Sequence, residues 1–157
     1  MKIFAAALGL AALAACTTAP APETEATSST PRAASLSAIG IGVSDLQASN
    51  TFYTEALGME YVTEFKLSYM DEIVLRFPAG GSAIVLMEWT DGSERTLGSN
   101  GMKIVVRSPD PAAMADRIRA AGGEIIRYPE PVPEVGGAIV GFAKDPDGYL
   151  LELLPNL

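Results

Sequence analysis

The stretch GFAKDPDGYLLELL, Gly141 to Leu154, decides the fold. Its centre, Lys144-Asp145-Pro146-Asp147-Gly148, is a turn. Proline presets one dihedral, Asp favours local hydrogen bonds, and Gly accepts a positive φ. The flanks, Ala138–Ala143 and Tyr149–Leu154, read as strands, so a hairpin closes the chain. In the last strand Leu150, Glu152 and Leu154 share one face, and Tyr149, Leu151 and Leu153 the other. Both faces are apolar, yet Glu152 carries a charge, which in a core needs a cation, donors or a metal.

Upstream of this hairpin the order of elements repeats. Leu36–Val43 reads as a strand, and Asp45 as the N-cap of a helix with Leu46, Phe52 and Leu57 at helical spacing. Gly58 ends that helix. Strands follow at Glu60–Phe65, Glu72–Phe77 and Ser82–Trp89, broken at Ser68, Pro78-Ala79-Gly80-Gly81 and Asp91-Gly92. The second half restarts with a strand at Lys103–Arg107. Asp110 caps a helix with Pro111 at its first position, Met114, Ile118 and Ala121 on one face, and Gly122-Gly123 at its end. Strands at Glu124–Tyr128, Ala138–Ala143 and Tyr149–Leu154 complete it. Cap and stop are 13 residues apart in both halves, Asp45 to Gly58 and Asp110 to Gly123. The predicted fold is therefore α+β, with two tandem βαβββ modules over residues 36–157.

VSDLQASNTFYTEALGME (Val43–Glu60), IRAAGGEI (Ile118–Ile125) and GFAKDPDGYLLELL together resemble the vicinal-oxygen-chelate superfamily. That superfamily includes glyoxalase I, bleomycin- and fosfomycin-resistance proteins and extradiol dioxygenases. The resemblance implies that the modules' mixed sheets curve into a cup. It also implies four metal-ligand slots, on the first and last strands of each module, commonly His, Glu, His and Glu. In this chain they fall at Ala38, at either Leu86 or Glu88, at Lys103 and at Glu152. Ala38 has no ligand atom, and a protonated Lys103 repels a cation. With both imidazole slots lost, the expectation is no resident cofactor. A divalent ion held weakly by Glu88 and Glu152 is the alternative. The same slots suggest an ion pair between Lys103 and Glu152, with Arg107 on the strand face of Lys103. The expected ligand site is then Lys103, Glu152, Glu88 and Arg107, suited to a small anionic or oxygen-rich molecule.

Composition narrows the function further. The chain has no histidine and one cysteine, which removes Ser-His and Cys-His nucleophile pairs and any intrachain disulfide. A net charge of −8 with no run of Lys or Arg argues against nucleic acid as a partner. The chain opens MKIFAAALGLAALAAC, a basic residue and a 13-residue apolar run before Cys16. That run is too short to span a bilayer and has the length of a signal-peptide core. Leu13-Ala14-Ala15-Cys16 resembles the lipobox of bacterial lipoproteins, implying cleavage after Ala15 and lipid on Cys16. Residues 16–35 are rich in Pro, Ala, Ser and Thr and read as a flexible tether spanning roughly 25 Å.

The expected protein is thus a lipoprotein of the bacterial envelope, on the outer membrane and facing the periplasm. It binds a small molecule, touches the membrane through its lipid, and is either a monomer or a homodimer. A glyoxalase I-like lyase with Glu152 as general base is the enzymatic alternative, and a non-catalytic adaptor the third. The envelope location weighs against chemistry that depends on glutathione, chiefly a cytosolic thiol.

Overall fold

The computed structural model describes residues 35–157. The signal segment, Cys16 and all of the tether before Ser35 lie outside the described residues. The elements alternate as the repeat requires: β1 (Ala38–Gly42), α1 (Leu46–Glu55), β2 (Glu60–Lys66), β3 (Met70–Arg76) and β4 (Ala83–Trp89). Then come β5 (Lys103–Ser108), α2 (Pro111–Ala120), β6 (Glu124–Val132), β7 (Ala138–Lys144) and β8 (Leu150–Pro155).

Each module is a four-stranded sheet of the same order, β1-β4-β3-β2 and β5-β8-β7-β6. The first and last strands of a module run parallel, and the other pairs antiparallel. The two-module α+β fold predicted from the sequence is present.

The caps act as read. The Asp45 carboxylate accepts from the N–H groups of Gln47 and Ala48 at 3.0 and 2.9 Å, and Asp110 accepts from Ala113 at 2.9 Å. Each satisfies amides that a helix N-terminus leaves without intrahelical partners. Three strand limits differ from the sequence reading by two residues or more: β1 begins at Ala38 rather than Leu36, β3 begins at Met70 rather than Glu72, and β6 continues to Val132 rather than ending at Tyr128. Pro129 and Pro131 donate no hydrogen bond, but β6 is an edge strand and its register shifts between Arg127 and Glu130. An edge with a bulge tolerates proline where a central strand would not.

One core serves both modules. Phe52 and Tyr53 of α1, Ile73, Leu75 and Leu86 of the first sheet, and Ile118, Leu151 and Leu153 of the second module are all buried within it. Each such large apolar side chain contributes about 1.5–3 kcal/mol through burial. Gly123 lies where the modules meet. A Cβ there would stand 2.6 Å from Ile118 Cγ2 and 2.8 Å from the Lys144 carbonyl, with the Phe52 ring 3.0 Å away.

Candidate functional site

Along β5, Lys103, Val105 and Arg107 are exposed, whereas Val106 and Ser108 are buried beneath them. Parallel pairing sets Lys103 beside Leu150 and Val105 beside Glu152, so Lys103 and Glu152 project from the same, outer face of the sheet. There the Lys103 ammonium lies 2.6 Å from the Glu152 carboxylate, with their side chains 43% and 15% exposed. This is a charge-assisted contact on a half-open surface, so solvent screening leaves it well below a buried pair in strength. Arg107 follows on the same face, and its guanidinium donates to the Pro155 carbonyl at 2.8 Å.

Module one gives a different surface. Ala38 pairs with Ala83, Gly40 with Val85 and Gly42 with Met87. Ala38, Gly40 and Gly42 therefore share the outer face with Val85, Met87 and Trp89. Close approach confirms this phase: a Cβ on Gly40 would meet Met87 Cε at 3.0 Å, and one on Gly42 would meet Trp89 Cζ3 at 2.7 Å. The Arg95 guanidinium stacks 5.0 Å above the Trp89 ring.

This register corrects the sequence assignment of the module-one slot. Glu152 neighbours Val105 just as Val85 neighbours Gly40, so Val85 is the counterpart of Glu152. Leu86 and Glu88 face the opposite way, towards the helix. Leu86 is fully buried in the core, and the Glu88 carboxylate accepts from the Leu46 N–H at the start of α1, at 3.4 Å. Glu88 thus sits at a helix N-terminus, where a negative charge is favoured. It does not share a face with Ala38.

The four positions that the repeat brings into correspondence are then Ala38, Val85, Lys103 and Glu152. They offer a methyl, an isopropyl, an ammonium and one carboxylate already in contact with that ammonium. Such a set does not fit a divalent cation, which needs several oxygen or nitrogen donors. Among the described residues, no three His, Cys, Asp or Glu side chains cluster in a way that could hold a metal.

The turn at Asp145 does more than its local reading indicated. Asp145 Oδ1 accepts from the amides of Asp147 and Tyr149 at 3.1 and 2.7 Å, as a turn Asp should. Its Oδ2, however, accepts the Tyr53 hydroxyl of the other module at 2.8 Å. Asp147 accepts from the Ser44 amide at 3.0 Å and the Ser49 hydroxyl at 3.3 Å, also across the module boundary. Burial pushes the Asp145 carboxyl above its usual range, against the pull of these donors, and burial next to Asp145 raises the Tyr53 phenol well above its own. The sequence carried no sign of this clamp, because the Tyr53–Asp145 partners lie 92 residues apart.

The Glyoxalase/Bleomycin resistance protein/Dioxygenase superfamily model matches residues 35–153, and the chain belongs to that family. A probable lactoylglutathione lyase of Vibrio parahaemolyticus is 37% identical over 120 residues, covering 73% of this chain and 85% of that protein. A putative lactoylglutathione lyase of Brassica oleracea is 31% identical over 116 residues, but this chain spans only 41% of its length. Among solved structures, glyoxalase I from Zea mays superposes with a TM-score of 0.67 at 27% identity, over 76% of this chain and 43% of that one. An antibiotic binding protein from Streptomyces shares the fold, with a TM-score of 0.62 at 17% identity over 80% and 98%.

Proposed function

We propose that this chain is a small-molecule-binding member of the superfamily that works without a resident divalent metal. One observation carries the reading: the Lys103 ammonium stands at a ligand slot and engages the slot's Glu152 at 2.6 Å. A fixed cation beside a carboxylate can orient an oxygen-rich or anionic ligand, with Arg107 adding a second cation. The outer faces that would form a cup are uncovered in a single chain, with Phe65 and Val105 each 50% exposed. This supports a homodimer in which the apolar outer face of module one meets the charged face of module two of a second copy. Leu13-Ala14-Ala15-Cys16 supports display of the domain from a lipid anchor in the envelope. Incorporation of labelled fatty acid by the native chain, lost in Cys16→Ala, is the test of that anchor.

The names of the bacterial relatives favour a second reading, a lactoylglutathione lyase with Glu152 as base. Elemental analysis of the purified protein, combined with a lyase assay with and without added Ni²⁺ or Zn²⁺, separates the two. Substoichiometric metal and no turnover are expected. Stoichiometric metal, or turnover that Glu152→Gln removes, would establish the lyase instead.

A further inference from the structure

A cleft of about 870 Å³ runs between the modules, and Glu152 does not line it. Its walls include the apolar side chains of Leu57, Met59, Ile84, Ile104, Val106 and Met114, and residues 77–82 also line it. β5 runs along it: Ile104 and Val106 line the cleft from the inner face, whereas Lys103, Val105 and Arg107 reach it from the outer face. Lys103 and Arg107 border it from the strand's free edge. The size is that of a pocket for a small organic ligand.

The charges along this cleft are one-sided. The chain has 19 acidic residues against 11 basic ones, yet no Asp or Glu lines the cleft, while Lys103, Arg107 and Arg117 do. Lys103 is paired with Glu152. The two arginines meet no carboxylate among the described residues. Each is held by one carbonyl: Arg107 donates to Pro155, and Arg117 Nε donates to Ala56 at 3.0 Å. A guanidinium held this way keeps other N–H groups for an incoming anion, and its fork matches a carboxylate.

We infer that the inter-module cleft binds an amphipathic carboxylate of the acyl-chain class, its chain against the Met59–Met114 wall and its carboxylate on Arg107 and Arg117. The site shares Arg107 with the outer-face reading but does not use Glu152.

The probe is decanoate, titrated below its micellar concentration into the full chain carrying ¹³C-methyl methionine, with calorimetry in parallel. Met59 and Met114 line the cleft, whereas Met87 packs over the outer face of module one, so the methyls report location. The expected result is saturable shifts at Met59 and Met114, with Met87 unmoved. Decanol should bind at least tenfold more weakly, and decylamine more weakly still. Arg107→Gln and Arg117→Gln should each weaken decanoate about tenfold, the size of one charge-assisted hydrogen bond. Arg117→Lys, which keeps the charge, should recover part of the loss in a protein of unchanged melting temperature. Because binding is read at Met59 and Met114, its outcome is decided separately from the metal and lyase assays that test the outer-face proposal. Equal binding of decanol and decanoate, shifts confined to Met87, or no saturable binding would each overturn the inference.

Discussion

At the scale of single residues, the Lys103–Glu152 contact is the feature on which the functional proposal turns. Because Lys103 is 43% exposed, removing it with Lys103→Met should cost only about 1 kcal/mol. Adding Glu152→Gln should recover most of that, since the carboxylate left without its cation disappears as well. A double-mutant cycle by urea denaturation measures this, and strictly additive losses would mean the pair is incidental.

Asp145 makes a pH prediction. Its carboxyl is raised by burial in the folded protein, whereas in the unfolded chain it titrates near about 3.9. A raised acid holds its proton more tightly when folded. Its contribution to stability is therefore full below the unfolded value and is lost as pH rises through the folded one. Relative to Asp145→Asn, the native protein should gain stability as pH falls from 7 towards 4. Melting curves of both proteins across that range should converge or cross in this sense, and a constant difference would refute it. Tyr53→Phe removes a donor from the same carboxylate and should cost about 1–2 kcal/mol.

At the scale of elements, close approaches between strands and helices set what each position tolerates. Gly123 joins the end of α2 to β6 where Ile118, Phe52 and the Lys144 carbonyl converge. Gly123→Ala should destabilise by about 1–3 kcal/mol, as overpacking does, with little change in ligand affinity. Glu88, next to the end of β4, lies against the first turn of α1, so its replacement should act on the helix rather than on the outer face. Glu88→Gln is expected to lower stability by about 0.3–1 kcal/mol through lost interaction with the helix dipole. Its ligand binding should stay unchanged. If Glu88→Gln abolished binding of an oxygen-rich ligand while preserving stability, the register assigned to β4 would be wrong.

At the scale of the whole molecule, the two sheets present unlike outer faces. Module one offers Val85, Met87 and Trp89 over a glycine-lined strand, whereas module two offers Lys103, Glu152 and Arg107. Apolar groups left open on a sheet mark a surface that another surface covers. Phe65 lies on the first of these faces, paired across from Glu72, and Val105 on the second. Sedimentation equilibrium should find a dimer for the native protein, and Phe65→Glu or Val105→Glu should shift it towards monomer without changing the melting temperature of the monomer. A monomeric native protein at tens of micromolar would remove the dimer from the proposed function.

Local physics made much of this legible in the sequence. Asp caps, a proline at the first helical position, glycine stops and a Pro-Asp-Gly turn act over a few residues, so both helices and all eight strands could be read in order. The resemblance to the superfamily, whose slots fall at Lys103 and Glu152 in this chain, then implied that these two side chains meet. The tertiary structure alone decided which way β4 points. Side chains alternate every residue along a strand, so a shift of one position exchanged Val85 for its neighbours and turned Glu88 to the helix. Only the parallel hydrogen bonds to β1 fix that phase. Likewise, the Tyr53–Asp145 clamp and the arginine-bordered cleft arise between modules, from residues far apart in the chain, and no local preference encodes such meetings.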